Sequence, residues 1–211
     1  EFLHNETSFR NGQTIHSRTR KIIRAIVPVH VFGHAVNLEP LLTMCRRRNI
    51  KIVEDATESL GTFYACGRLR GRHAGTVGDL GCLSFNGNKI ITAGGGGMIV
   101  TGNARFAREA RYLTTQAKDD DLRFIHNAVG YNFRLTNIQA ALGYAQMECL
   151  KEFIAVKKKN YLRYQQEIQS IPGLRLAEVP PYAHNNYWMY ALQIDSEKYG
   201  RDRDQVLKIL T

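Results

Sequence analysis

A strand–helix–strand pattern between residues 22 and 56 constrains the fold of this chain more than any other feature. Residues 22–29 ("IIRAIVPV") form a short apolar, β-branched run, and residues 50–56 ("IKIVEDA") form a second one that contains two acids, so each run predicts a buried strand. Asn37 is a candidate N-cap for the intervening helix, whose apolar stripe is Leu38, Leu41, Leu42 and Cys45. This unit predicts two parallel strands joined by a right-handed helical crossover.

The rest of the chain continues the alternation and predicts an α/β fold. Further elements are predicted as strands at 79–85 and 96–102, a helix at 103–117, a long loop at 118–134 and a long helix at 136–169. Thr136 is the candidate N-cap of the long helix, which ends at "SIPG". A strand-like segment at 187–195 and a charged final helix follow. We expect a boundary near the middle of the long helix, with one domain at 1–150 and the beginning of a second at 151–211.

Composition excludes several classes of function. The net charge of +10 favours an anionic partner. The basic clusters are dispersed and no nucleic-acid-binding motif accompanies them, so a phosphorylated ligand is favoured over nucleic acid. The sequence contains no apolar run of about 18 residues, so no membrane span is predicted. It also contains no C-x-x-C pair that would indicate a metal site. Cysteines in a chain without a secretory signal pattern predict the cytoplasm. A first residue of Glu1 rather than methionine predicts a partial chain.

Two chemically capable residues follow predicted strands: Asp55 after the second strand and Lys89 after the third. Open α/β sheets bind ligands at the carboxyl ends of their strands, so we expect both residues to face one crevice. A lysine and a carboxylate in one crevice suit pyridoxal 5′-phosphate (PLP), because the lysine forms a Schiff base with the aldehyde and the acid keeps the pyridinium nitrogen protonated. Ser84 could donate its hydroxyl to the phosphate, and the glycines at 94–97 permit tight turns beside a bulky cofactor.

Simpler explanations exist for each of these residues. Lys89 could be an ordinary surface lysine, because most lysines are exposed. Glu54 and Asp55 could do no more than cap a turn after a strand. The segment 81–89 resembles a phosphate-binding Walker loop, but its spacing does not fit that motif. The other conspicuous side chains are predicted to be structural, in a loop, a core or an interface: His30, His34, Tyr187, Trp188 and Tyr190.

Three longer motifs carry a resemblance to a known family. They are "VEDATESLG" at 53–61, "GDLGCLSFNGNKIITAGGGGMIVT" at 78–101 and "GYNFRLTNIQAALGYAQME" at 130–148. In this order they resemble the DegT/DnrJ/EryC1/StrS sugar aminotransferases, and most closely the branch that makes 4-amino sugars for legionaminic-acid-type glycans. The resemblance runs from about residue 21 to the end. It implies part of the large domain of a fold-type-I PLP transferase, with a mostly parallel sheet, and the start of a small α+β C-terminal domain.

The resemblance also implies roles for individual residues. Lys89 matches the Schiff-base lysine, which moves a proton between the two carbon centres, and Asp55 matches the acid on the pyridine nitrogen. Glu58 matches a position near the ring hydroxyl, where many members have glutamine. Ser84 matches a phosphate-binding serine. Asn132 matches an asparagine that reaches the cofactor of a neighbouring subunit, which implies a homodimer, and Arg134 is a further candidate for binding an anion of the substrate.

The implied activity is transamination of a nucleotide-linked 4-keto-6-deoxysugar, with glutamate as amino donor, for bacterial surface glycans. Family members extend beyond this chain at both ends, so the resemblance implies that the isolated chain lacks part of the pocket. A truncated sheet leaves unpaired edges and exposed apolar faces, so we expect the chain to self-associate. One alternative is a non-catalytic, aminotransferase-like fragment that serves as an assembly or anion-binding module. Another is a PLP enzyme that dehydrates the sugar, but such enzymes typically have histidine in place of the lysine, so Lys89 favours transamination.

Overall fold

The computed structural model describes residues 1–210 as a mixed α/β chain. Its strands are β1 Thr7–Arg10, β2 Gln13–His16, β3 Ile22–Ile23, β4 Ala25–Ile26, β5 Lys51–Asp55, β6 Phe63–Tyr64, β7 Leu80–Ser84, β8 Gly97–Val100, β9 Lys118–Asp120, β10 Ile125–His126, β11 Leu174–Leu176, β12 Ala183–His184 and β13 Leu192–Ile194. Its helices are α1 Phe2–Asn5, α2 Leu38–Arg47, α3 Ala104–Thr114, α4 Asn137–Glu148, α5 Leu150–Ile168, α6 Ser196–Tyr199 and α7 Arg203–Leu210.

The central sheet has the strand order β4-β5-β7-β8. Strand β4 pairs in parallel with β5, and β5 pairs in parallel with β7, whereas β8 runs antiparallel to β7. Helix α2 connects β4 to β5, as a parallel pair requires, since parallel strands need a long crossover. The mostly parallel sheet predicted from the sequence is therefore confirmed.

The apolar run at 22–29 is not one strand. Its first part, β3, pairs antiparallel with β2 in an N-terminal three-stranded sheet, and its second part, β4, joins the central sheet. Arg24 lies between the two parts, and its carbonyl oxygen accepts a hydrogen bond from the Lys51 amide at 2.9 Å. An apolar run predicts extended backbone but cannot predict which partner strand each residue takes, which is why the division was missed.

Helix α2 packs on the sheet through the stripe predicted for it. Leu38 and Cys45 are fully buried, and Leu41 and Leu42 pack against the same two apolar clusters. Burial of one such leucine stabilises the fold by about 1.5–3 kcal/mol. A third cluster, formed by Leu60, Phe85, Ile91 and Ala93, lies beside the loop that carries Lys89. The helix N-cap differs from the prediction, since the Asn37 side chain makes no capping hydrogen bond.

The long helix predicted at 136–169 is two helices, α4 and α5, that meet at Cys149. Thr136 caps α4 in a capping box with Gln139, as its position predicted. The long loop contains the small hairpin β9–β10, whose turn is closed by backbone amides that donate to Asp120. Within residues 1–210, no helix is both long and apolar enough to cross a membrane.

The break between α4 and α5 lies where the sequence predicted a boundary near residue 150. The C-terminal part nevertheless pairs with the N-terminal part, because Ala183 of β12 is opposite Tyr64 of β6. The predicted division into 1–150 and 151–211 stays a prediction. For the site, what matters is that the segment after β12 contacts the loop that follows β7, through the Trp188 indole and the Asn88 carbonyl.

Candidate active site

Two predicted site residues lie at the same edge of the central sheet. Asp55 is the last residue of β5 and is opposite Cys82 in the parallel strand β7. Ser84 is the last residue of β7, two positions farther along that strand. Because the strands are parallel, both side chains belong to the carboxyl edge, where sheets of this kind bind ligands.

The backbone around Asp55 is held from both sides. Its amide donates to the Pro28 carbonyl at 2.9 Å, and its own carbonyl accepts from the His30 amide at 3.0 Å. Its carboxylate Oδ1 accepts two hydrogen bonds from Thr57, at 3.2 Å from the amide and 2.7 Å from the hydroxyl. The carboxylate is thus fixed at the strand end through Oδ1, and within residues 1–210 no hydrogen bond reaches Oδ2. Burial, together with the charge of Asp55, raises the pKa of the neighbouring Cys82 thiol.

Lys89 contacts the loop that follows β5, the strand that ends at Asp55, through the side chain of Glu58. A turn after β7, closed by the Lys89 amide donating to the Asn86 carbonyl at 3.1 Å, presents the lysine. Its Nζ lies 3.6 Å from Glu58 Oε1, and the two side chains are only 13% and 23% exposed. Glu58 Oε2 accepts from the Phe32 amide at 2.7 Å, so the carboxylate is anchored independently of the lysine. The loops that follow β5 and β7 therefore meet at this pair.

Trp188 forms the other wall around the lysine amine. Lys89 Nζ lies over its ring, 4.4 Å from the centroid. The indole Nε1 donates to the Asn88 carbonyl at 2.6 Å, and the Trp188 amide donates to Asn186 Oδ1 at 3.0 Å. Asn186 in turn donates through Nδ2 to the Glu58 carbonyl at 2.8 Å. Trp188 is buried, as predicted for a core or interface residue, and it also contacts the candidate site, which was not predicted.

A buried polar cluster lies directly behind Asp55. Glu54 and His30 are both fully buried, and His30 Nε2 donates to Glu54 Oε2 at 2.9 Å. The same carboxylate accepts from the amides of Gly75, Val77 and Gly78. Nδ1 of His30 accepts from the Val36 amide at 3.0 Å, so its proton is on Nε2. Burial raises the pKa of Glu54, but the hydrogen bonds from His30 and from the amides of Gly78 and Gly75 outweigh it and lower the pKa below its usual value.

The cluster is structural, and it corrects two interpretations made from the sequence. Glu54 does not cap a turn after a strand, since it joins the strand to the loop at 75–78. His30 is not an ordinary loop histidine, because it links that carboxylate to the segment before α2. The alternation of the strand placed Glu54 and Asp55 on opposite faces, and that was the available signal for two different roles.

The glycine run at 94–97 adopts the turns that its sequence predicted. Gly94 and Gly96 have φ of 76° and 78°, which residues with a Cβ rarely adopt. A Cβ at Gly94 would meet no atom within 4 Å, so this turn borders open space. At Gly96 a Cβ would collide with the Leu135 side chain, which brings α4's N-terminal side close to the strand β8.

Asn132 and Arg134 are placed differently from the other predicted residues. Both are exposed, and the Asn132 backbone forms an isolated bridge with Thr115. Within residues 1–210, no hydrogen bond or ion pair joins either side chain to Lys89, Asp55 or Ser84. One copy of the chain therefore does not complete the predicted set.

These two residues lie in a strongly apolar stretch. We use the term apolar surface for its most exposed members, which are Leu122, Phe124, Val129, Phe133, Ile138 and Tyr144. Among the described residues 1–210, helix α4 contains no fully buried residue. An exposed apolar region of this kind marks an interaction site more often than a free surface.

Comparison with known proteins gives consistent results. The sequence profile of the DegT/DnrJ/EryC1/StrS aminotransferase family matches residues 10–211, which extends the likeness into the N-terminal sheet. The chain is 39% identical over 189 residues to GDP-perosamine synthase of Caulobacter vibrioides, covering 89% of this chain and 49% of that protein. It is 35% identical over 181 residues to EpsN of Bacillus subtilis, named as a pyridoxal phosphate-dependent aminotransferase, covering 85% and 45%.

Two solved structures agree with these relatives. The crystal structure of DesI in the presence of its TDP-sugar product superposes on this chain with a TM-score of 0.80 and 28% sequence identity, covering 91% of this chain and 47% of that one. The aminotransferase TlmJ from Streptoalloteichus hindustanus gives 0.79 and 28%, covering 89% and 49%. The chain thus spans about half the length of the relatives it matches.

Proposed function

Because the chain belongs to the DegT/DnrJ/EryC1/StrS aminotransferase family, whose members depend on PLP, we propose that it supplies the Lys89 side of a sugar aminotransferase active site. The observation that carries the proposal is the meeting of two strand-end loops. Lys89 after β7 and Glu58 after β5 come within 3.6 Å of each other at the carboxyl edge of the parallel sheet. A lysine that only interacts with solvent would be exposed and not enclosed between two strand-end loops.

The residues present fit PLP. Asp55 lies at a strand end with a carboxylate oxygen, Oδ2, that accepts no hydrogen bond within residues 1–210, so it suits the pyridine nitrogen, on which it would keep a proton. Ser84 at the neighbouring strand end suits the phosphate. Glu58 suits the ring hydroxyl, provided that a proton lies between the two oxygens, because two negative charges there would repel each other. When bound, PLP supplies an aldehyde for the lysine and an electron sink for the reacting carbon.

The chemistry left to the chain is mainly proton transfer and orientation. Lys89 would carry a proton between the two carbon centres, and Asp55 would hold the ring's charge. Burial of the amine between Glu58 and Trp188 limits water around it. We propose glutamate as the amino donor and a nucleotide-linked 4-keto-6-deoxysugar of a bacterial surface glycan, of the legionaminic-acid type, as the acceptor. Arg134 is proposed to bind an anionic part of the substrate.

We also propose that the working protein is a homodimer in the cytoplasm. Asn132 does not approach the other site residues within its own chain, and it lies in the apolar surface. If a second copy covers that surface, Asn132 of one copy can reach the site of the other. The positive net charge of the chain favours an anionic, nucleotide-linked substrate over nucleic acid.

A direct test is covalent trapping of PLP. The 211-residue chain is mixed with PLP, reduced with borohydride and digested, and the modified lysine is identified by mass spectrometry. We expect modification at Lys89 with an absorbance band in the near-ultraviolet to blue, and loss of both in Lys89→Ala. Modification spread evenly over the exposed lysines, unchanged in Lys89→Ala, would contradict the proposal.

The rival proposal is a non-catalytic fragment that assembles with other chains or binds anions through its positive charge. It predicts no preferred modification of Lys89 and no dependence on Asp55. The variant Asp55→Ala separates the two, because loss of the acid weakens PLP retention only if Asp55 binds the ring. A dehydratase is disfavoured, since the residue that matches the reactive position is a lysine, Lys89, and not histidine.

A further inference from the structure

The turn between β5 and β6, at residues 56–62, carries contacts that define the candidate site. Thr57 in this turn donates two hydrogen bonds to Asp55 Oδ1. Glu58, the next residue, places its Oε1 3.6 Å from Lys89 Nζ. Because both contacts come from one turn, whatever holds the turn in place also holds Asp55 and the carboxylate beside the lysine.

His73 contacts this turn from the segment that follows β6. The Gly61 amide donates to His73 Nε2 at 2.8 Å. Gly61 has a φ of 86°, and a Cβ at this position would meet the Ile154 side chain of α5, so the turn passes close to that helix. The imidazole is placed by Phe63, which forms an isolated backbone bridge with His73 and a T-shaped ring contact with centroids 5.0 Å apart. The histidine is therefore held by contacts other than the amide from which it accepts.

Only the neutral form of His73 can accept from the Gly61 amide. An imidazole nitrogen accepts a hydrogen bond only while it carries no proton, and both ring nitrogens of the imidazolium are donors. Burial lowers the pKa of His73 and outweighs the Ala74 backbone and the charge of Glu54, which raise it. The nearby His30 lowers it further. The neutral ring is therefore the form present at pH 7, and acidification leaves two donors facing each other.

The hydrogen bond at Nε2 ties the turn to the charge state of one histidine. We propose that His73 is a positioning residue, whose neutral imidazole fixes the turn at 56–62 and whose protonation in mild acid releases the turn. Its side chain makes no hydrogen bond or ion pair with Lys89, Asp55 or Ser84 within residues 1–210, so it acts on them through the turn. The release itself requires no cofactor, and its consequence for the site rests on the proposed function.

The first measurement is hydrogen–deuterium exchange of the 211-residue chain between pH 8 and pH 5, followed by mass spectrometry. Exchange at the ring carbon Cε1 of His73 reports protonation of the imidazole, and amide exchange of a peptide that covers 56–62 reports the turn. Once the intrinsic effect of pH is removed, we expect amide exchange to speed up about two- to tenfold, the range of one net hydrogen bond. The change should share its midpoint with the His73 ring, below about pH 6.5.

Two substitutions at position 73 separate the acceptor from the charge. His73→Gln places Oε1 at the reach of Nε2 and does not ionise, so the turn should stay protected across the whole pH range. His73→Leu removes the acceptor, so at pH 8 its turn should already exchange about two- to tenfold faster than that of His73→Gln. If His73→Leu does not fold, His73→Gln and the wild-type titration decide the outcome.

Two controls exclude a general loosening at low pH. His4→Gln removes an exposed histidine and should leave exchange of the turn identical to that of wild type. His30 also accepts from an amide, that of Val36 at 3.0 Å, so exchange of the segment at 34–37 reports on His30 separately. Faster exchange at 34–37 without faster exchange at 56–62 would assign the acid sensitivity to His30 and overturn the inference.

The second measurement relates the turn to the candidate site. PLP is added to wild type and to His73→Gln, the mixture is reduced with borohydride, and the fraction of modified Lys89 is measured by mass spectrometry. The two proteins are compared at one pH at a time, because pH also changes PLP and the lysine themselves. We expect equal trapping at pH 8 and about twofold less trapping in wild type below the midpoint of His73.

The outcomes separate this inference from the proposed function. Exchange of the turn that depends on pH equally in wild type and His73→Gln overturns the inference, whatever PLP modifies. Exchange that differs as expected, with preferred and equal trapping of Lys89 in both proteins at every pH, shows a turn that does not position the site and also overturns it. Absence of preferred trapping at Lys89 in both proteins at pH 8 overturns the proposed function, while the exchange result still decides whether His73 holds the turn. The expected differences in both measurements support both proposals.

Discussion

The buried cluster around Glu54 and the apolar surface around α4 differ in whether one copy of the chain supplies the contacts that their side chains need. The Glu54 carboxylate is 0% exposed and accepts hydrogen bonds from His30 and three backbone amides. Ile138, on α4, is 85% exposed, and no residue of that helix is fully buried within residues 1–210. The first region is complete in a single copy, and the second is not.

The difference indicates which property each region controls. A buried carboxylate with all its partners inside the chain stabilises the strand edge that presents Asp55, whether or not another copy binds. Exposed apolar side chains contribute little to the stability of one chain, but their burial drives association. Substitutions in the cluster should therefore change unfolding, and substitutions in the apolar surface should change assembly.

The largest expected effect is on Glu54. Glu54→Ala leaves the His30 donor and three amides without their acceptor, so we expect the free energy of unfolding to fall by at least about 3 kcal/mol. Urea unfolding followed by circular dichroism measures it. Glu152→Ala, on exposed α5, should change it by less than about 0.5 kcal/mol. Equal losses in the two variants would show that Glu54 contributes no more to the free energy of unfolding than an exposed glutamate does.

The next effect is on assembly. We expect the chain to self-associate at micromolar concentration, and Ile138→Lys to raise the dissociation constant at least about tenfold, since an apolar anchor in an interface is worth about 1.4 kcal/mol or more. Light scattering and sedimentation velocity measure this. Leu162→Lys, at an exposed apolar position of α5, is the control for charge alone. A clean monomer in the unmodified chain would contradict the prediction.

A smaller effect is expected on the pH dependence of stability. The pKa of Glu54 is lower in the folded chain than its unfolded value of about 4.3, so its stabilisation is present above that pH and is lost as the pH falls through the folded pKa. The loss cannot exceed about 1.4 kcal/mol per pH unit for one proton. Urea unfolding between pH 6 and pH 3, for wild type and Glu54→Gln, should show this slope in wild type only.

His73 provides a check on that experiment. Burial lowers the pKa of His73, so both proteins should lose stability as the pH falls below about 6.5, the ordinary value of histidine. The charge of Glu54 opposes this lowering, so Glu54→Gln also changes the pKa of His73, and only a difference between the two proteins that is confined to pH values below about 4.3 reports the carboxylate. A difference that begins near pH 6.5 would assign the effect to a histidine instead.

The smallest effect is expected at the other end of the same strand. Lys51 forms an ion pair with Asp79 at 3.0 Å, but its side chain is 54% exposed. Solvent screening leaves such a pair about 0.5 kcal/mol or less, so Lys51→Ala should hardly move the urea midpoint. Asp79→Ala should cost more, because Asp79 also accepts from the Ile52 amide at 2.9 Å. Equal effects would mean that the exposed ion pair, and not the amide contact, dominates.

Much of the fold was predictable from local patterns. The stripe from Leu38 to Cys45 predicted the buried face of α2, and "IKIVEDA" predicted β5, because both patterns follow from where apolar side chains must point. The division of the run at 22–29 and the break at Cys149 were not predictable. Each depends on which distant strand or helix supplies the hydrogen-bond partner or the packing surface.

The sequence predicted which residues gather at the strand ends, and it did not predict what surrounds them. Motif order and strand position selected Lys89, Asp55, Glu58 and Ser84, and the structure brings Lys89 to Glu58 and sets Asp55 and Ser84 on one edge. Their roles remain proposals. Trp188 was not selected for the site, because it lies 99 positions after Lys89 in the chain and no local pattern joins them.

The sequence alone determined the parallel unit, the glycine turns and the kind of lysine and acid that follow the strands, since these depend on neighbours within a few residues. Only the tertiary structure decided that the buried Glu54 carboxylate accepts from four donors and that Trp188 covers Lys89. It also decided that no residue of α4 is fully buried within residues 1–210. Those three facts depend on contacts between segments far apart in the chain, and such contacts exist only once the whole sheet has assembled.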